Sequence, residues 1–398
     1  MLVPGAAFAQ CTDTFNFVGD FGGGVFRPVQ SLLPLGSGSS LAVLTSTINT
    51  VNSAFLASSS AFVAAPGNPK PDERGSGVWA RGIAGNVETK TTSTGVLDGS
   101  GLASPIAATG TQNCKTTIKQ SYSGFQLGYD IAVLNRGGSG ANWHFGVTGG
   151  QVQARLNDAT PGTTYTSSTS TPVTLTVGDG QLTQDTLVPY VGLYTTFTNK
   201  GFFADAMVRW DFFRNTFTDP GNGVTSQKGF NANGFALLGN MGQSFALRDG
   251  WFVEPSGGLM YSRVSVDSLS VVGFTNYATG TVAFSDIESL LGRLTFRIGR
   301  NFTHGNMAYQ PFFTAGLYHE FLGSVTATSI ANTNGVNTDI DGLKLTSTSK
   351  DGLGTYGQFS LGTAIVHPNN VTTFVRGDYR TGEHVEGWGV NGGVRFNF

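Results

Sequence analysis

The chain ends on Val385-Glu386-Gly387-Trp388-Gly389-Val390-Asn391-Gly392-Gly393-Val394-Arg395-Phe396-Asn397-Phe398, and the reading of these residues decides the fold. Trp388, Val390, Val394, Phe396 and Phe398 share one parity, while Asn391, Gly393, Arg395 and Asn397 share the other. Successive side chains of a strand point to opposite faces, so the stretch is a ribbon with one apolar and one polar side. Two settings produce such a ribbon. One is the terminal strand of a half-buried soluble sheet. The other is a stave of a membrane barrel, with lipid on one face and a polar interior on the other.

Composition favours the second setting. The chain has 398 residues, of which 12% are charged, with 57 Gly and 30 Phe and a mean hydropathy of −0.02. Soluble domains carry about 25% charged residues. Lys and Arg total 23 against 25 Asp and Glu, so no basic excess points to nucleic acid. A helical membrane protein needs uncharged apolar runs of about 20 residues, and the region from Ser76 onward has none. Low charge, abundant Gly and aromatic residues, and neutral hydropathy suit strands that are half apolar and half polar.

From Ser76 the chain divides into twelve strand-like segments, approximately 76–91, 118–135, 141–156, 182–198, 201–216, 229–248, 250–266, 284–300, 306–321, 352–367, 370–383 and 385–398. Their connections alternate. Long polar stretches 92–117, 157–181, 217–228, 267–283 and 322–351 follow the odd strands up to the ninth. Tight turns at Arg136–Gly140, Asn199–Lys200, Asp249, Asn301–Gly305 and Pro368–Asn369 follow the even ones. Alternating long loops and short turns are the mark of an all-β, twelve-stranded, antiparallel up-and-down transmembrane β-barrel; a soluble sandwich has no reason to alternate so regularly.

The charges obey the same geometry. Phe125, Leu127, Tyr129, Ile131 and Val133 oppose Gly124, Gln126, Gly128 and Asp130. Asp205, Arg209, Asp211, Arg293, Arg297, Arg376, Asp378 and Arg380 fall on the polar parity of their strands, and Glu254 joins them as a lumen-facing candidate. An Arg or Lys facing lipid at mid-depth would cost about 2–4 kcal/mol. Two strands are ambiguous: Trp79 shares the parity of Arg81, and the segment around Tyr190 and Tyr194 has no clear faces. Trp143, Trp251 and Tyr309 stand near strand starts, where an aromatic girdle is expected.

Ahead of the barrel, residues 41–65 read LAVLTSTINTVNSAFLASSSAFVAA, without charge, Gly or Pro. Leu41, Leu44, Ile48, Val51, Phe55 and Phe62 recur near helical spacing. Ten of the residues are Ser, Thr or Asn, which disfavours a lipid-facing helix and suits an N-terminal α-helix inside the bore. A periplasmic amphipathic stalk is the alternative. Twelve strands about 4.8 Å apart and tilted about 40° leave a bore of roughly 12–14 Å between side chains, and a helix is about 10–12 Å across. Residues 66–75, PGNPKPDERG, read as a polar linker, with Pro66 ending the helix. Residues 10–40 read as a short, irregular exported segment. Residues 1–9 contain the small-residue pattern Ala7-Phe8-Ala9 of a signal-peptide cleavage site; the piece before it is too short for a complete signal and lacks a basic start.

Several motifs resemble one family. Gly77-Val78-Trp79-Ala80-Arg81-Gly82 is similar to the opening strand of autotransporter (type V secretion) translocator domains, and Trp251-Phe252-Val253-Glu254-Pro255 to their central W-x-x-E-P strand. Pro311 with His319-Glu320-Phe321, and the closing Gly393–Phe398, complete the resemblance over residues 76–398. It implies a barrel in the outer membrane of a Gram-negative bacterium, enclosing a helix that links an exported passenger to the barrel. It implies that Val394, Phe396 and Phe398 belong to the signal read by the barrel assembly machinery. It further implies outer-membrane lipids and lipopolysaccharide as surroundings, a monomer, and no nucleic-acid partner. Family members that cleave themselves often do so at an Asn pair in the helix; Asn49 and Asn52 are not adjacent here. A helix with its N-terminal end outward would bring Cys11 to the side of the first long loop, where Cys114 lies; in that oxidising setting a disulfide is expected.

No catalytic chemistry or cofactor is predicted. The five His residues, at 144, 304, 319, 367 and 384, form no metal-ligand spacing. His319-Glu320 and Glu383-His384 have no G-x-S-x-G nucleophile nearby, and Gly22-Gly23-Gly24 lacks the Lys-Ser/Thr of a phosphate loop. Three functions stay open: a translocator that secretes or displays an N-terminal segment; a passenger-less, porin-like or structural barrel plugged by residues 41–65; and, last, a barrel enzyme, for which no catalytic constellation is evident.

Overall fold

The computed structural model describes residues 11–13, 16–18, 46–48, 70–102, 107–158, 163–166, 174–177, 182–219, 224–272, 279–332, 342–349 and 352–398. Twelve long strands form the wall: β1 (Glu73–Asp98), β2 (Ala107–Leu134), β3 (Asn142–Asp158), β4 (Thr183–Asn199), β5 (Phe202–Asp219) and β6 (Val224–Gln243). The others are β7 (Trp251–Val266), β8 (Ile287–Arg300), β9 (Met307–Glu320), β10 (Thr355–Val366), β11 (Val371–Gly382) and β12 (Val385–Asn397). Each pairs antiparallel with its sequence neighbours. The ring closes where β12 pairs with β1, from Val385↔Thr89 to Asn397↔Gly77. Ser76 and Phe398 exchange both backbone hydrogen bonds, at 2.8 and 2.9 Å, and so finish the seam.

One rim carries the short turns. Asn135, Lys200, Asp249 and Asn370 all adopt positive φ there. Asn and Asp tolerate that conformation because their short side chains hydrogen-bond locally. Lys200-Gly201 has positive φ at both positions, as a two-residue hairpin turn twisting with its strands requires. Aromatic rings collect at this rim: Trp143 packs on Phe197, centroids 4.7 Å apart, and Phe302 stacks on Tyr309 at 5.4 Å.

The wall inverts its polarity along its length. Near the short-turn rim the outer face is apolar: Phe125, Leu127, Tyr129 and Ile131 on β2, Leu294 and Phe296 on β8, Trp388, Val390 and Phe396 on β12. Leu294 is 69% exposed. Farther along the same strands the outer face turns polar, with Ser121 and Lys119 on β2 and Arg155 on β3. There the inner face becomes the apolar one, a buried cluster including Val87, Ile118, Val152, Leu156 and Phe213. This is the pattern of a barrel that crosses lipid over part of its height and stands in water above it. In lipid the outside must be apolar; in water the inside must be.

The long-loop rim differs from the expected irregular loops. Most of 92–117 belongs to the two arms of one hairpin, because β1 runs to Asp98 and β2 begins at Ala107. The stretch is rich in Thr, Ser, Gly and Ala and does not alternate apolar with polar residues, so it shows no hydrophobic period although Thr favours strands. Ser93–Asp98 pairs with Lys344–Ser349, which pairs with Val325–Asn332. That strand pairs with Thr279–Phe284, and the latter with Leu269–Val272. The segments read as loops 267–283 and 322–351 thus contain four strands of a surface sheet that continues the wall. Thr163–Thr166 and Thr174–Val177 form a separate hairpin within 157–181.

The N-terminal expectations meet the structure at three places. Cys11–Asp13 and Asn16–Val18, inside the segment read as irregular, are strands paired with β2. Ser46, Thr47 and Ile48 are helical and buried, Ile48 3% exposed and packed with the inner apolar cluster. The remainder of the expected helix 41–65, like residues 1–9 and Asn49 and Asn52, lies outside the described residues. β1 starts at Glu73, opposite Leu134, three residues inside the stretch read as linker. Among the described residues no helix is long and apolar enough to cross a membrane.

The inversion makes a direct prediction. Leu294→Arg, midway along the apolar band, should cost about 2–4 kcal/mol, whereas Ser121→Arg above it should change stability by no more than about 0.5 kcal/mol. Reversible denaturant unfolding in lipid vesicles measures both.

Candidate functional site

The functional space of a barrel is its bore. Alternation alone aims the candidate charges into it. Asp205, Arg209 and Asp211 come from β5, Glu254 from β7, Arg293 and Arg297 from β8, and Arg376, Asp378 and Arg380 from β11. All lie on the inner parity, most of them toward the short-turn half and Arg380 higher, level with Val87, and Asp205, Arg209, Asp211, Glu254, Asp378 and Arg380 are buried.

Six of these nine charges meet in three ion pairs rather than in one cluster. Arg209 donates to both carboxylate oxygens of Asp211, at 2.7 and 2.9 Å. Arg297 lies 3.3 Å from Glu254 and donates to Gln310 Oε1 at 2.8 Å; its guanidinium also stacks over Phe252 and Phe312 at 5.2 and 4.8 Å. Arg376 Nε lies 2.9 Å from Asp378 Oδ1. Asp378 further accepts from Ser360 at 2.6 Å and from Asn391 at 3.1 Å. Buried charge is tolerable only when paired and hydrogen-bonded; the Arg209–Asp211 fork meets both conditions directly, while Arg297 and Asp378 add hydrogen bonds to neutral side chains beside their ion pairs.

The densest network straddles the seam. From β12, Arg395 crosses over β1 and donates to both carboxylate oxygens of Asp130 on β2, at 2.7 and 2.8 Å. Asp130 also meets His144 Nδ1 of β3 at 3.0 Å and accepts from the Tyr194 hydroxyl of β4 at 2.8 Å. Trp79 of β1 completes the ring by donating its indole N–H to Tyr194 Oη at 2.7 Å. Five consecutive staves are thereby tied together. Asp130 is 0% and Arg395 1% exposed. Gly77 opens the lane over β1, since a Cβ there would stand 2.3 Å from an Arg395 guanidinium nitrogen. Gly128 does the same beneath the Trp79 ring, at 2.2 Å.

This network settles the two ambiguous strands. Trp79 shares the parity of Arg81 because both face inward. Tyr190 and Tyr194 face inward with them, Tyr190 donating to the Phe125 carbonyl at 3.2 Å. Sequence reasoning placed Asp130 on the polar face but did not connect it with His144, Tyr194 or Arg395. Its only signal was a carboxylate on a strand otherwise polar through Gly and Gln.

Other candidates separate. His319 points outward to Thr355 Oγ1 at 2.6 Å, while Glu320 points inward to Ser289 Oγ at 2.9 Å. As strand neighbours they cannot act together. Phe396 and Phe398 stand on the outer face, Phe398 67% exposed, with Val394 on the same parity. Cys114 is disulfide-bonded, and Cys11 lies directly opposite it in register.

The bore is occupied at one described place. Ser46 Oγ donates to Gln120 Oε1 at 2.8 Å and lies 3.2 Å from Thr89 Oγ1. Both partners are inward residues of the first hairpin near the top of the seam, where Thr89 pairs with Val385.

Comparison with known proteins follows the same outline. The family model described as "Autotransporter beta-domain" matches residues 78–378. The pertactin autotransporter of Bordetella parapertussis is 30% identical over 221 residues, 54% of this chain and 20% of the relative. The probable autotransporter YcgV of Escherichia coli is 26% identical over 241 residues, 59% of this chain and 23% of the relative. The chain thus spans about a fifth of the length of these relatives. Among solved structures, the transport unit of the autotransporter AIDA-I from E. coli superposes with a TM-score of 0.56 at 14% identity, covering 89% of this chain and 99% of that one. The translocator domain of NalP from Neisseria meningitidis gives 0.50 at 13% identity, covering 91% and 100%. At such identity these structures speak for the fold.

Breaking one partner of a buried ion pair strands the other charge. Arg395→Met and Asp130→Asn should each destabilise the barrel by about 3–5 kcal/mol. The double variant should lose less than the sum of the two. Denaturant unfolding and heat-modifiable migration on gels measure the cycle.

Proposed function

The chain belongs to the autotransporter β-domain family, and from that premise we propose that residues 73–398 form a translocator carrying an N-terminal segment to the cell surface. The barrel resides in the Gram-negative outer membrane, with its short turns toward the periplasm. The observation that carries the reading is the course of the chain. Strand Cys11–Asp13 is paired beyond the long-loop rim, Ser46–Ile48 lies inside the bore, and Glu73 begins β1 at the short-turn rim. From Thr89 down to Glu73 the wall drops about 42 Å for strands tilted about 40°. A helix continued from Ile48 through residue 65, then a linker, would be long enough to cover that height, at about 25 Å for the helix and up to about 26 Å for the linker.

In this reading the segment divisions of 1–9, 10–40, 41–65 and the linker are signal remnant, exported piece, pore helix and periplasmic connection. The charged belt does not open a wide channel. Three of its Arg side chains are paired with carboxylates, which suits a wall that must contact a polar, uncharged helix without binding it tightly. The barrel acts as a passage and an anchor; His319 and Glu320, on opposite faces, do not form an acid–base pair. Val394, Phe396 and Phe398 would meet the assembly machinery from the lipid side, and lipopolysaccharide would surround the upper edge of the apolar band. The barrel works as a monomer and takes no nucleic acid. The second reading, a plugged barrel without a passenger, shares the helix in the bore and differs only in what the helix once carried.

Planar-bilayer recording tests the occupied bore. The full chain should show little steady conductance, and deletion of residues 12–65 should raise it several-fold. An equally open pore in the full chain would exclude a resident helix. Deletion of Phe398 should reduce the heat-modifiable barrel recovered from the outer membrane.

A further inference from the structure

β2 outgrows its neighbour. Its pairing with β3 stops at Ile118↔Asp158, yet β2 continues to Ala107. Among the described residues no β3 partner stands beside the strand edge above Ile118, and an edge of this kind invites another strand. The exported segment supplies it. Cys11, Thr12 and Asp13 pair with Cys114, Asn113 and Gln112. Asn16, Phe17 and Val18 pair with Thr109, Ala108 and Ala107. This is strand addition by the chain to its own barrel, with main-chain hydrogen bonds providing the recognition.

The register places the two cysteines of the sequence directly opposite one another. Opposed residues of antiparallel strands have Cα atoms about 4.5–5.5 Å apart, inside the range of about 4.4–6.8 Å that a disulfide needs. Cys114 is buried and disulfide-bonded, and among the described residues no cysteine is free.

We propose that Cys11 and Cys114 form a clasp that fastens the exported N-terminal segment covalently to the surface hairpin, so that it is displayed and retained rather than shed. The inference rests on the translocator reading. Closing the clasp joins the two sulfurs and removes two protons and two electrons. An oxidised disulfide carrier of the cell envelope accepts them by thiol–disulfide exchange and leaves as a dithiol. With one end of the segment fixed at β2 and the other continuous with β1, the piece in the bore is held from both sides. Cleavage of the connecting stretch would then release nothing until the sulfur bond is reduced.

The test uses the full chain on intact cells, with a specific protease site inserted between Ser37 and Gly38. After external cleavage and non-reducing denaturing electrophoresis, the N-terminal fragment should migrate with the barrel, and at least tenfold more should separate once reductant is added. Cys114→Ser and Cys11→Ser should release it without reductant. Fragment separating from the native sequence under non-reducing conditions would overturn the clasp. Mass spectrometry of the uncut native protein reads the same bond without any variant: a linked Cys11–Cys114 peptide supports the clasp, and two alkylated thiols sink it. Protection of the inserted site on intact cells, with cleavage in lysed ones, would instead overturn surface exposure and thus the translocator reading.

Discussion

Arg395 reaches from the last strand, across the first, to Asp130 on the second. A barrel has no core in the ordinary sense over its membrane height. Its integrity depends on closing a sheet whose two end strands are the farthest apart in the sequence. Backbone pairing between β12 and β1 supplies the ladder, but a ladder alone permits slippage by two residues without exposing the wrong face. The guanidinium–carboxylate fork sets the height of β12 against β2, because a bidentate pair forms at one register. His144, Tyr194 and Trp79 extend that constraint to β3 and β4, and back to β1. Gly77 and Gly128 are part of the same device, since any side chain there would occupy the space the Arg395 and Trp79 groups need.

Above the membrane a different physics takes over. The inner face changes from charged pairs to an apolar cluster, and the outer face from apolar to polar. The upper barrel is stabilised like a soluble β-protein, by burial inside. Ile48 joins this upper cluster, so the helical turn at Ser46–Ile48 touches the wall where the wall is greasy and hydrogen-bonds it where Gln120 and Thr89 interrupt the grease. The lower wall opposes charge with charge instead. A chain in such a bore would be gripped near the top and slide more freely below.

Much of this was legible from residues alone. Period-two alternation names the inner and outer face of nearly every stave, because the pleat offers two directions and lipid tolerates one kind of side chain. The turns were legible through Asn, Asp and Gly at positions needing positive φ. The surface hairpin was not, since Thr and Ser on both faces carry strand propensity without hydrophobic contrast. Trp79 and Tyr194 stay ambiguous in the sequence for a related reason: an aromatic residue suits either face until its hydrogen-bond partner on a distant stave is known.

By itself the sequence determined the architecture: twelve staves, their faces, the rim that holds the turns, and a polar stretch without charge suited to a bore. These follow from local rules of backbone geometry and from the cost of charge in lipid. Only the tertiary structure decided which residues meet. Asp130 and Arg395 are joined by closure, and Cys11 and Cys114 by the added strand. Both contacts depend on the relative height of distant strands. Strand register is a global quantity, set when the ring closes, and no local pattern of residues encodes it.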